Sequence, residues 1–148
     1  MSHLTYYTYQ GFGSDNLKSH AYNQAVRMEN QIFISGQAKG GHDRVTGKHS
    51  RDIDEHIDQA FENVDFVLRD AGGKGWEQVF IVRSYHIHLT DEAQAAMVRN
   101  FKKWMPNHKA LWTCVGVTRL GSDGMQVEIE VVAHDPEGAA AAKAKEQA

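Results

Sequence analysis

Apolar residues recur at three- and four-residue spacing between Asp52 and Ala71. Ile53, Ile57, Ala60, Phe61, Val64, Leu68 and Ala71 form one stripe, while Asp54, Glu55, Asp58, Glu62, Asp65 and Arg69 fall mostly opposite. That period predicts an amphipathic helix over residues 52–71. Asp52 followed by Glu55 has the form of a capping box, and Gly72-Gly73 supplies the stop. A second stripe of Ala93, Met97, Phe101 and Trp104 predicts another helix. Thr90 caps it, Asp91 and Glu92 suit the dipole of its first turn, and Pro106 ends it. Runs of β-branched and aromatic residues predict strands over residues 79–89, 111–120 and 125–133, the last two joined by the turn Gly121-Ser122-Asp123-Gly124. Upstream, residues 25–27 and 31–35 flank Glu29-Asn30 and predict a hairpin, with Asn30 suited to left-handed backbone.

The remaining stretches lack a period. Residues 1–23, rich in Tyr, Gly and Ser, read as loop with one short strand over 4–9, and residues 36–50 read as loop. From Pro136 the chain is Ala, Lys and Glu without large apolar side chains, so nothing there is expected to bury. The organisation predicted is a single domain over residues 1–135 followed by a flexible C-terminal tail, 136–148. One sheet with both helices packed on a single face buries the two stripes most economically, an α+β arrangement. The other sheet face is left bare, and association of identical chains is the simplest cover for it.

At 148 residues and 41% apolar, the chain is long enough to bury a core without disulfides or a structural metal. The net charge of −3 argues against nucleic acid as a partner. Cys114 is the single cysteine and cannot form an internal disulfide, which fits a reducing compartment. The first residues, Met1 to Tyr6, show no charged segment followed by an apolar run, and no stretch is apolar enough to span a bilayer. The expectation is a cytoplasmic protein without a membrane partner.

Several segments resemble the Rid (YjgF/RidA-like) family. Ile32-Phe33-Ile34-Ser35-Gly36-Gln37 resembles the end of its hairpin. Asp52-Ile53, Gln59-Ala60-Phe61-Glu62-Asn63 and Asp70-Ala71-Gly72-Gly73 resemble its first helix. Cys114-Val115-Gly116-Val117 with Leu120, and Val127-Glu128-Ile129-Glu130-Val131-Val132-Ala133, resemble its closing strands. The resemblance runs from about Tyr22 to Ala133. It implies a chorismate-mutase-like fold assembled as a homotrimer, with a small-molecule cleft between neighbouring subunits. It also implies hydrolysis of reactive enamines and imines without a metal or organic cofactor. Of the family's cleft positions, Tyr22, Gly36, Cys114 and Glu128 match, Gly36 as a backbone contact and Glu128 as the holder of the hydrolytic water. The RidA type has an arginine two residues before the cysteine, and here Trp112 stands there, with Thr113 between. A guanidinium fork grips a carboxylate bidentately, whereas an indole offers one neutral donor. That exchange forfeits about a hundredfold in binding a carboxylate. The resemblance therefore implies a diverged enzyme acting on a small reactive metabolite other than a simple 2-imino acid. The alternative is a non-catalytic small-ligand binding or chaperone-like module.

Each candidate has a plainer reading. An aromatic on a strand is more often core; the resemblance favours Trp112 as cleft lining. Glu128 and Glu130 share a strand face, either as an exposed acidic surface or as a cleft in which Glu128 has a raised pKa. Cys114 reads as inert lining, since nothing adjacent in sequence would lower its pKa. His86 and His88, and His42, His49 and His56, have spacings that occur in metal sites, but no third ligand or outer shell is identifiable, so no metal is expected. Ala38 to Asp43 is Gly-rich without the Gly-Lys-Ser/Thr of a phosphate loop.

Overall fold

A computed structural model describes residues 1–36 and 41–148. Gln37 to Gly40, which close the Ser-Gly-Gln segment and begin the Gly-rich run, lie outside the described residues. The strands are β1 (Thr5–Tyr7), β2 (Ala25–Met28), β3 (Gln31–Ile34), β4 (Val79–His86), β5 (Leu111–Gly116) and β6 (Val127–His134); the helices are α1 (Phe12–His20), α2 (Ile53–Asp70), α3 (Asp91–Trp104) and α4 (Pro136–Glu146). The strands form one sheet in the order β1-β2-β3-β6-β4-β5, so the last strand in sequence lies inside it. Every pairing is antiparallel except β4 with β5. A parallel neighbour needs a crossover, and α3 provides it.

The α2 stripe is confirmed: Ile57, Ala60, Phe61, Val64 and Leu68 are fully buried. Asp52 accepts the Glu55 N–H at 3.0 Å, but the return half of the capping box is diverted. Glu55 instead accepts from the Ser50 hydroxyl at 2.6 Å, and that hydroxyl accepts the Asp52 N–H at 3.2 Å. At the far end, the Gly73 N–H donates to the Leu68 carbonyl (2.9 Å) and the Gly72 N–H to that of Arg69 (3.0 Å). Gly72 sits at φ 86, so this is a Schellman stop that a Cβ would oppose. Thr90 caps α3 as expected, accepting the Ala93 N–H at 3.1 Å.

Strand register divides the residues into two faces. Ile32, Ile34, Val82, Ser84, His86, Val127, Ile129 and Val131 are buried on the face the helices cover. Tyr6, Val26, Phe33, Val132, Ile81, Arg83, Tyr85, Glu128 and Glu130 belong to the other face.

Four sequence expectations are corrected. Residues 12–20, read as loop, are helical. Only Phe12 and Leu17 are large apolar residues there, and the stop is Ala21 at φ 57 rather than a glycine. In the hairpin, Met28 faces Gln31 across a two-residue turn, and the left-handed residue is Glu29 at φ 53, not Asn30. The strands expected over 111–120 and 125–133 are shorter, and they are not neighbours, because β4 lies between them. The tail forms α4. Asp135 caps it by accepting the Gly138 N–H at 3.1 Å, Pro136 occupies its first turn, and Ala139 is buried.

Candidate functional site

Glu128 projects from β6 onto the face the helices leave uncovered, opposite Tyr85 of β4 and one two-residue step from Glu130. The Tyr85 hydroxyl donates a short hydrogen bond to Glu130 Oε1, which raises the Tyr85 pKa above its ordinary value. Glu128 is half-buried. Burial first, and then the negative charge of Glu130, push its carboxyl above the usual glutamate range. Gly36 closes over it. A Cβ on Gly36 would come within 2.6 Å of Glu128 Oε1, so any larger residue there would push the carboxyl out of this position.

Tyr22 is brought to the same place by local tethers. Ala21 turns the chain at φ 57, the Gln24 N–H donates to the Tyr7 carbonyl at 3.0 Å, and the Thr8 hydroxyl donates to Asn23 Oδ1 at 2.9 Å. The Ser35 N–H and hydroxyl both donate to the Gln24 carbonyl, at 3.0 and 3.1 Å, locking the end of β3 to this segment. The Tyr22 hydroxyl has a raised pKa, from burial and then, against a hydrogen bond with Gln24, from the charge of Glu128. Tyr22, Gly36 and Glu128, expected in one cleft, thus come together within a single chain. Beside them, a concavity of about 450 Å³ is lined by Tyr22, Ser35, Arg83 and Glu130 together with apolar residues including Phe33 and Val132.

Trp112 and Cys114 do not join them. In the parallel pairing Trp112 faces Val82 and Cys114 faces Ser84, both on the helix-covered side. The Trp112 indole packs edge-on against Phe101 with ring centroids 5.0 Å apart, and its N–H donates to Ser84 Oγ at 2.9 Å. It borders a separate apolar cavity of about 120 Å³ with Val82, Phe101 and Met105. The expectation that the indole lines the cleft beside Glu128 is therefore not met within one chain: Trp112 packs on its own subunit's core. Cys114 is half-exposed on the same side, and Thr113 faces the open side opposite Arg83.

The histidines are structural in character. Ser84 Oγ accepts the Trp112 indole N–H and shares a second hydrogen bond with His86 Nε2 at 2.9 Å. Burial lowers the His86 pKa and keeps the ring neutral. His88 lies beyond the end of β4 and is exposed. The Gln126 N–H donates to His56 Nε2 at 3.3 Å, leaving Nδ1 to donate to the Ser50 carbonyl at 3.0 Å. His49 stacks on His56 at 5.3 Å and pairs with His42 in a short antiparallel bridge. Among the described residues no three His, Cys, Asp or Glu side chains are grouped to hold a metal ion.

Sequence reasoning missed Arg83, Tyr85 and Ser35. The alternation along β4 carried the signal, since two polar-tipped residues two apart, Arg83 and Tyr85, must share a face.

A family model described as Endoribonuclease L-PSP matches residues 14–135. The RutC family protein YjgH of Escherichia coli (strain K12) is 30% identical over 118 residues, covering 80% of this chain and 86% of that protein. Protein mmf2, mitochondrial, of Schizosaccharomyces pombe is 38% identical over 117 residues, covering 76% and 86%. The solved structure of protein YJGH superposes with a TM-score of 0.75 at 27% identity, covering 92% of this chain and 99% of that one. With its core elements and site segments inside the matched span, the chain belongs to the Rid (YjgF-like) family.

Proposed function

We propose that the protein is a cofactor-independent hydrolase of a small reactive imine or enamine, acting in a cleft completed by assembly into a homotrimer. The observation that carries the reading is the Glu128 carboxyl. It is held half out of water against the Gly36 backbone beside the Tyr22 hydroxyl, with its pKa raised toward the range useful in acid–base chemistry. In hydrolysis, Glu128 takes a proton from water as the oxygen adds to the imine carbon. The C=N π pair moves to nitrogen, which is protonated, and the carbinolamine then breaks its C–N bond to release ammonia and a ketone. An enamine enters by protonation at its β-carbon. These steps need one placed carboxyl and a site that excludes bulk water.

Two features support the assembly. The uncovered face carries the exposed Tyr6 and the half-buried Val26, Phe33 and Ile81, and at its margin Leu111 is 71% exposed, an apolar surface better suited to contact than to water. Trp112 and Cys114 lie on the edge strand β5, and a neighbouring chain docking there would bring β5 toward its own Glu128 face. Thr113, on the open side, lines the cleft. The family description names an endoribonuclease, but a face bearing Glu128 and Glu130 opposes a phosphate backbone, which leaves a small molecule as the partner. No helix among the described residues is long and apolar enough to cross a membrane. We read the compartment as the cytoplasm from the single cysteine; the mitochondrial designation of mmf2 describes that protein.

The test supplies imines generated in situ by an amino-acid oxidase and measures ammonia release. Wild type should accelerate release from larger, less polar imines more than from 2-iminopropionate. Glu128→Gln should lower kcat/KM by about 10²–10⁴-fold, the usual worth of a placed acid–base group. Equal rates for wild type and Glu128→Gln would reject the mechanism. A protein silent on every imine that still binds the product ketones would instead be a ligand-binding module.

A further inference from the structure

The arginines of this chain are mostly engaged. Arg27 pairs with Asp135 at 2.8 Å, Arg69 with Asp65 at 2.8 Å, and Arg99 with Asp58 at 2.8 Å, while Arg44 donates to Asn63 Oδ1 at 2.7 Å. Arg83 is different. It stands on β4 facing the open side, directly opposite Glu130 in register, yet the Glu130 carboxylate is taken up by the Tyr85 hydroxyl. The Arg83 guanidinium makes no hydrogen bond or ion pair among the described residues. It lines the same concavity as Tyr22, Ser35 and Glu130, and Glu128 stands one two-residue step along β6 from Glu130.

A planar fork of five donors without acceptors, unpaired at a concavity beside the Glu128 carboxyl, is chemically suited to hold a carboxylate. A dianion such as phosphate fits less well, because Glu128 and Glu130 flank the approach. Arg83 lies one two-residue step from Tyr85, the residue opposite Glu128, so its guanidinium and the Glu128 carboxyl belong to one face of the sheet. We infer that Arg83 is the anchor of the cleft for a ligand carboxylate. This inference rests on the hydrolase reading for the ligand's being a substrate, but the anchor itself is a binding property and is tested as one.

The probes are a keto acid that mimics the product, 4-oxopentanoate, and its methyl ester, each titrated by calorimetry into wild type, Arg83→Gln and Arg83→Lys. Wild type should bind 4-oxopentanoate more tightly than its methyl ester. Arg83→Gln should weaken 4-oxopentanoate by about tenfold or more and leave the ester unchanged, while Arg83→Lys should retain an intermediate affinity, a charge without the fork. Light scattering on each variant checks assembly. Equal binding of acid and ester, undiminished binding by Arg83→Gln, or no binding of any probe overturns the anchor. A changed oligomeric mass in Arg83→Gln overturns it in favour of an ion pair between copies. The two readings separate cleanly. Arg83-dependent binding with no ammonia release from any imine sinks the hydrolase and keeps the anchor, and ammonia release indifferent to Arg83 does the reverse.

Discussion

At the scale of single residues, the Glu128 carboxyl shows chemistry and stability opposed. Burial and the neighbouring Glu130 charge raise its pKa above the ordinary 4.5, so folding disfavours the ionised form relative to the unfolded chain. A group whose pKa is higher in the folded than in the unfolded chain contributes its full stability below the unfolded value and loses it as pH rises through the folded one. Ionised Glu128 is therefore a strain at neutral and alkaline pH. Glu128→Gln keeps the shape without the charge, and should melt at a higher temperature than wild type at pH 8 while the two nearly coincide at pH 4. Melting curves at the two pH values check this, and a pH-independent difference would show that the carboxyl is well solvated. The acidic pair was legible from its spacing, because residues two apart on a strand share a face. What no spacing reveals is that Gly36 approaches the carboxylate closely, since residues 36 and 128 meet only through the β3–β6 pairing. Nor does the sequence show which side of β5 faces the helices, and the same alternation reads equally well with Trp112 out or in.

At the scale of elements, the Arg27–Asp135 pair joins parts of the chain that local reasoning kept apart. Arg27 on β2 donates to Asp135 Oδ2 at 2.8 Å and to the Ala71 carbonyl at the end of α2 at 3.0 Å. Asp135 also accepts from Gln78 Nε2 at 2.9 Å and caps α4. Burial acts to raise the Asp135 pKa, but Arg27, Gln78 and the Gly138 N–H outweigh it, and the net shift is downward. The pair is buried, at 7% and 1% exposure, so removing one partner strands the other charge. Arg27→Met should cost about 3–5 kcal/mol in denaturant unfolding, the usual penalty for an orphaned buried ion. With Asp135 depressed below its ordinary 3.8, its contribution is complete above that value and disappears as pH falls through the folded pKa, so wild type should lose stability there and Arg27→Met should lose little more. A variant as stable as wild type would show that the pair contributes nothing net. This linkage explains the misreading of the tail. The Asp135-Pro136 cap was present in the sequence, but α4 has no apolar stripe, and its anchor is a charge pair 108 residues apart. Helix α1 escaped for a related reason, since its stop is a left-handed alanine that carries no turn signature. The long helices α2 and α3 were legible because period, cap and stop agreed.

At the scale of the whole molecule, the sheet is covered on one side only. An antiparallel sheet can leave a face in water when that face alternates to polar residues. Here β2 and β3 place Val26 and Phe33 outward, and their neighbours Val132, Ile81 and Tyr6 continue the apolar surface across the sheet. Such strands read as buried on both sides. A second copy of the chain supplies the missing cover if the face is an interface, and the homotrimer proposed above makes the number of copies three. The prediction follows from where Phe33 points. Because it lies on the open face rather than in the helix-covered core, Phe33→Asp places a charge in the interface while leaving the monomer's own packing intact. Light scattering should give three times the chain mass for wild type and the chain mass for the variant, with circular dichroism unchanged. A monomeric wild type would remove the assembly, and with it the route by which the partner's β5 reaches the carboxyl. A trimer that survives Phe33→Asp would move the interface to another surface of the chain.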